Sequence, residues 1–129
     1  MTQSVENPKH RLAEWLGHVE TLIDQISEWS QAEGWTVERS TKTIREKPLG
    51  AYTVPQLHVQ VGEGEIEVEP MGIDPIGGHG RVVVRAIPTL SRVKLLDTPQ
   101  WTIMTDSNVP LRLPWTRETY AQLVRDLLT

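Results

Sequence analysis

The chain has no cysteine and no phenylalanine. Without cysteine there is no disulfide framework, no thiolate metal site and no cysteine nucleophile, and the expected setting is a reducing cytoplasm. No apolar run approaches the roughly 18–20 residues that a membrane-spanning helix needs. The first residues, Met-Thr-Gln-Ser-Val-Glu-Asn-Pro, lack the basic-then-apolar order of a secretory signal. There is no internal repeat and no low-complexity tract. Basic charge is not in excess either: 13 Lys and Arg stand against 17 Asp and Glu, for a net charge of −4. Sequence-independent binding of nucleic acid needs a dense basic surface and is not expected.

Catalytic signatures are missing as well. There is no Gly-Lys-Ser/Thr phosphate loop and no dinucleotide fingerprint. There is no Gly-x-Ser-x-Gly elbow. The four histidines, His10, His18, His58 and His79, form no His-Glu-x-x-His run. A restriction-type nuclease would follow its first helix with an acid and a Glu-x-Lys or Asp-x-Lys on adjacent strands. Glu14, Glu20 and Asp74 stand in suitable order, but the lysine position reads Val-Val-Val-Arg-Ala. The sequence therefore calls for no cofactor, no metal and no catalytic residue.

What is present reads as one α+β domain over residues 1–129. Residues 1–7 are polar and expected to fray. Asn7-Pro8 is a helix start, with Asn as N-cap and Pro at the first helical position. Leu12, Trp15, Leu16, Val19, Leu22, Ile23, Ile26 and Trp29 then fall on one helical face, with Glu14, Glu20, Asp24 and Glu28 opposite. Gly34 is the expected stop. Such a helix is about 38 Å long at 1.5 Å per residue, so it must lie along a sheet or on a partner. From Trp35 to Thr105 the pattern becomes period-two and β-branched, punctuated by turn residues, and gives about six antiparallel strands in a meander. Pro55 marks an edge or a bulge. A short last helix follows Thr116, with Trp115 and Tyr120 at hydrophobic-staple spacing. Both helices are one-faced and are placed on the same face of the sheet.

The central hairpin runs from Glu65 to Pro88. One alignment sets Ile66 against Val84, Val68 against Val82, Glu65 against Arg85 and Glu69 against Arg81, which satisfies both faces. Its connection, Met71-Gly-Ile-Asp-Pro-Ile-Gly-Gly-His-Gly80, is long for a hairpin. The 71–80 loop reads either as a flexible tip whose glycines only serve the turn or as a ligand site, with Asp74, His79, Arg81 and Arg85 as candidate binding residues and the glycines allowing close approach.

Charge is unevenly spread. Residues 1–33 carry six acids and two bases, whereas residues 81–94 carry four bases and no acid. Arg81, Arg85, Arg92 and Lys94 could together receive an anionic ligand. Five Trp in a chain with two Tyr and no Phe serve either a core or a binding surface. The expected function is a small intracellular binding or adaptor domain without its own catalysis, with another protein or a second copy of itself as partner and no role at a membrane. The alternative is an enzyme or small-ligand binder at the 71–80 loop, of a metal-dependent hydrolase or nuclease type.

Overall fold

The computed structural model describes residues 8–47, 49–73, 78–98 and 100–129. Helix α1 spans Pro8–Ala32. Trp15, Val19, Leu22, Ile23 and Ile26 are buried along one stripe, and Glu14, Glu20, Asp24 and Glu28 are exposed on the other. The helix ends where the glycine predicts. Gly34 takes a left-handed φ of 87°, and its N–H donates to the Gln31 carbonyl while Trp35 N–H donates to Ser30, both at 3.0 Å. These two bonds satisfy carbonyls that the last helical turn would leave unpaired. Asn7, the expected N-cap, lies outside the described residues.

Among the described residues seven strands follow in one antiparallel sheet whose spatial order is the chain order. They are β1 (Thr36–Glu46), β2 (Gly50–Val61), β3 (Gly64–Ile73), β4 (Gly80–Ile87), β5 (Arg92–Asp97), β6 (Trp101–Thr105) and β7 (Pro110–Leu111). The strand beyond the expected six is β7. It has two residues, one of them proline, too few to give an alternating pattern. Pro55 lies where β2 pairs with β1 only, because pairing with β3 covers Leu57 to Val61. That edge position suits a residue without an N–H.

The last helix, α2, spans Arg117–Leu127. Thr116 Oγ1 caps it by accepting the Thr119 N–H at 3.2 Å. Trp115 and Tyr120 make the staple, with ring centroids 5.9 Å apart. Both helices cover one face of the sheet. Their core partners there are Val59, Ile66, Val68, Val82, Val84, Leu95 and Ile103.

The hairpin register differs from the sequence-based alignment. Ile66 stands opposite Ala86, Val68 opposite Val84 and Glu67 opposite Arg85, a slide of two residues. Because side chains alternate with period two, a slide of two leaves every residue on its own face, so the apolar pattern cannot detect it. A bulge between Pro70 and Gly72 also interrupts the ladder. Gly72 accommodates it with φ 103°, and Ile73 is turned to the helix side, opposite Gly80. The strands thus reach further than expected, and the connection shortens to residues 74–79.

All five Trp belong to the layer between helices and sheet. Trp29, Trp35 and Trp115 surround the Tyr120 ring at centroid distances of 6.1, 6.1 and 5.9 Å. The Tyr120 hydroxyl bonds Ser30 Oγ at 2.8 Å, and both residues are fully buried. At the other end Trp15 meets Trp101 at 6.3 Å and lies on the bare backbone of Gly80. A Cβ at Gly80 would stand 2.1 Å from Trp15 Cζ3. Gly64 serves α2 in the same way, since a Cβ there would stand 2.6 Å from Leu128 Cδ2.

Two alanine substitutions separate these roles of glycine. Gly80→Ala forces a buried indole to move and is expected to destabilise by about 1–3 kcal/mol. Gly17 is exposed on α1 with no heavy atom within 4 Å of its Cβ position, so Gly17→Ala is expected to stabilise by roughly 0.5–1 kcal/mol. Urea unfolding midpoints check both; equal shifts would show that Trp15 does not depend on Gly80.

Candidate functional site

The residues singled out in the sequence do not all meet. Asp74 lies outside the described residues. His79 lies at the mouth of a cleft under the N-terminal half of α1. Arg81 and Arg85 alternate with the buried Val82, Val84 and Ala86 on β4, so they belong to the opposite, uncovered face.

On that face most charges are matched. Arg85 Nη2 donates to Glu67 at 2.5 Å, which holds the guanidinium pKa above its ordinary value. Arg92 donates to Asp106 at 2.8 Å and Lys94 to Asn108 Oδ1 at 2.7 Å. Lys42 donates to Glu69 at 2.8 Å, and His58 bonds Glu65. Arg81 has its Nε buried without a hydrogen-bond partner. The stripe of four bases is therefore threaded with acceptors and not a bare cationic patch.

The cleft beside His79 has a volume of about 260 Å³ and runs between α1, the end of β5 and the 78–80 segment. Helical spacing sets Arg11, Glu14, Trp15 and His18 along the edge of α1 that overlooks it. Asp97 follows Val93 and Leu95 at inward parity on β5, so its carboxylate points to α1. There Asp97 Oδ2 meets His18 Nδ1 at 2.5 Å. The Asp97 backbone carbonyl accepts from His79 Nδ1 at 3.1 Å. Arg11 Nη2 donates to the Gly78 carbonyl at 2.5 Å and ties the helix to the loop.

Behind the cleft lies a second polar group. Glu46 accepts from the Tyr52 hydroxyl and from the Ile73 N–H at 3.0 Å. The buried Trp15 indole N–H stands beside the Tyr52 hydroxyl but makes no hydrogen bond of good geometry. Burial first, and the Glu46 carboxylate second, push the Tyr52 phenol well above its ordinary pKa.

Sequence reading missed His18 and Asp97. The available signal was a carboxylate at core parity, two residues after Leu95. A third structural element is needed to see its partner, since His18 is 79 residues away in the chain.

A larger groove of about 950 Å³ opens between α1 and the segment that joins β6 to α2. Trp101, Leu111, Leu113 and Trp115 give it apolar walls, and Thr21 and Gln25 of α1 face it. Leu113 and Val109 are 54% and 55% exposed. Strand β7 pairs with Ile103 and Met104 only. The Thr105 N–H donates outward to Val109 at 2.8 Å, so by strand alternation Trp101 also directs its N–H and C=O outward. No described strand meets them.

Among the described residues no three His, Asp or Glu side chains stand together as a metal-binding group. No described helix is long and apolar enough to cross a membrane. No protein-family model, curated protein or solved structure matches the chain.

The two tyrosines give a direct test of these environments. Burial pushes Tyr120 up to about 12, against a smaller lowering by its Ser30 bond, and Tyr52 is raised too. Both phenols thus keep their protons in the fold at pH values where the unfolded chain has lost them, near 10. Their contribution to stability is fully present below pH 10 and is lost as pH rises towards 12. In a 295 nm titration the native protein is expected to show no tyrosinate step near pH 10, whereas the urea-unfolded chain titrates both residues there. A native step near pH 10 would contradict the buried environments.

Proposed function

We propose that this chain is a binding domain without catalysis of its own, which takes an extended apolar segment of another polypeptide in the groove between α1 and residues 110–115. The observation that carries this reading is the unpaired edge of β6 at Trp101, set inside a groove with apolar walls. An exposed strand edge is a template for another chain. Added strands gain affinity from main-chain hydrogen bonds and specificity from pockets for alternate side chains. Here the Trp101 N–H and C=O supply the first, and the space between Trp101, Leu113 and Trp115 supplies the second. Arg112 is the one charged side chain in the described wall, which otherwise mixes apolar residues with Thr and Gln, so the incoming segment is recognised by apolar and uncharged polar side chains. The volume of about 950 Å³ is at the upper end of the ~300–1,000 Å³ typical of ligand pockets, large enough for several residues.

A display library of short peptides should yield binders with alternating apolar residues. Their addition should slow amide exchange at Trp101 and shift the Leu113 methyl signals. Leu113→Asp, at an exposed position, is expected to leave the fold intact and weaken binding roughly tenfold or more, the scale of one lost apolar anchor. Sedimentation at rising concentration shows whether a second copy fills the same groove, in which case Leu113→Asp restores the monomer. Binders that leave Trp101 and Leu113 unmoved would overturn the proposal, as would a library that yields none.

A further inference from the structure

The cleft beside His79 is separate from the peptide groove, and its chemistry is specific. A backbone carbonyl can only accept, so His79 must carry its proton on Nδ1 to bond Asp97 at 3.1 Å. The Asp97 carboxylate imposes the same on His18 across 2.5 Å. One aspartate thus fixes both imidazoles with Nδ1–H turned inward, and in the neutral form of either ring the Nε2 lone pair is the group left to meet a ligand. Glu14 lines the same cleft one helical turn before His18 and is exposed. Arg11, the cation of this wall, is turned to the Gly78 carbonyl. Apart from the buried Trp15 indole N–H, the groups that the described walls offer to a ligand are hydrogen-bond acceptors with an acidic bias.

A second, independent observation is a buried polar atom within the walls that finds no partner. Asp97 is 10% exposed, and its Oδ1 is buried without a hydrogen bond. Buried polar atoms are nearly always bonded, so one that is not, in the wall of a cleft, calls for an explanation.

We propose that this cleft binds the N–H-rich head of a small organic cation, a primary ammonium or a guanidinium, which donates to His18 Nε2, His79 Nε2 and the Glu14 carboxylate. The volume of about 260 Å³ lies below the range for drug-sized ligands and suits one such head with a short stem. Two sources offer this chemistry: a free amine, or a lysine or arginine side chain of a segment seated in the groove next door, which shares Thr98 with the cleft. The inference stands whether or not the groove takes a peptide.

The test uses the full chain with ¹⁵N-labelled histidine. Ring nitrogen spectra report the tautomers directly, and both His18 and His79 are expected as Nδ1–H forms. Methylguanidinium and n-butylammonium are then added at constant ionic strength. Tetramethylammonium, which has the charge but no N–H, serves as control. Saturable shifts at both Nε2 atoms with the first two cations and none with the control support the proposal. His79→Ala and Glu14→Gln, both at exposed positions, should each weaken binding by about tenfold, the scale of one hydrogen bond to a charged group. His18→Ala is the less secure variant because it strips Asp97 of its partner. If displayed peptides move the His79 ring only when they contain Lys or Arg, the side chain is the source; if the free cations suffice, a free amine is. Equal response to tetramethylammonium, binding of inorganic phosphate or Zn²⁺ in place of the cations, or no saturable shift at all would overturn the assignment.

Discussion

The contact on which the rest depends is Trp15 lying on the backbone of Gly80. A helix about 38 Å long can rest along a twisted sheet only if the sheet falls away or thins under its bulkiest side chains. Here it thins. Gly80 offers no side chain to the indole, and Gly64 does the same for the end of α2. With Trp15 seated, Val19, Leu22, Ile23 and Ile26 follow down the same stripe into the core. The hydrophobic effect has no direction of its own; the shape of the sheet at its two glycines decides where the helices lie.

The same contact explains why the polar cleft lies where it does. On the edge of α1 that flanks Trp15 the packing turns polar, with Arg11, Glu14 and His18 in place of the apolar stripe. The bulge in β3 brings Ile73 round to the helix side, and Glu46 closes the gap behind it by accepting the Ile73 N–H and the Tyr52 hydroxyl. Against this edge come Asp97 and His79, so that a polar cluster stands beside the apolar layer. The uncovered face of the sheet solves a different problem. Its charges are interleaved so that Glu67 holds Arg85, Glu69 holds Lys42 and Asp106 holds Arg92. Exposed pairs of this kind contribute little stability each. They keep a bare sheet face solvated and make it a poor receptor for a single sign of charge.

Much of the fold is legible in the sequence because two periodicities carry it. The 3.6-residue stripe from Leu12 to Trp29 and the alternation at Ile66, Val68, Val82 and Val84 each admit one packing face. Gly34, Thr116 and the Trp115–Tyr120 staple mark ends by chemistry that acts within a few residues. What periodicity cannot register is a slide by an even number of residues, and the hairpin alignment went astray in just that way. Nor could it see the bulge at Met71, which depends on Glu46 arriving from another strand. The site follows the same division. The loop around His79 stands out through its glycines and its length. The partnership of His18 with Asp97 joins two elements that only the closed meander brings together, and Arg81 and Arg85 were grouped with His79 by nearness in sequence although β4 sends them to the far face.

The cleft and the groove are neighbours for a structural reason. Strand β6 begins at Trp101, whose ring packs against Trp15 while its backbone forms the unpaired edge in the groove. Thr98, in the turn just before, lines both spaces and bonds Thr102 at 2.7 Å. A close-packed interior transmits small displacements because it has no slack to absorb them. Trp101 packs on Trp15, and Trp15 in turn rests on Gly80, beside His79. The two spaces thus meet at Thr98, and behind it the two indoles and Gly80 that hold the long helix in place form one packed layer along both.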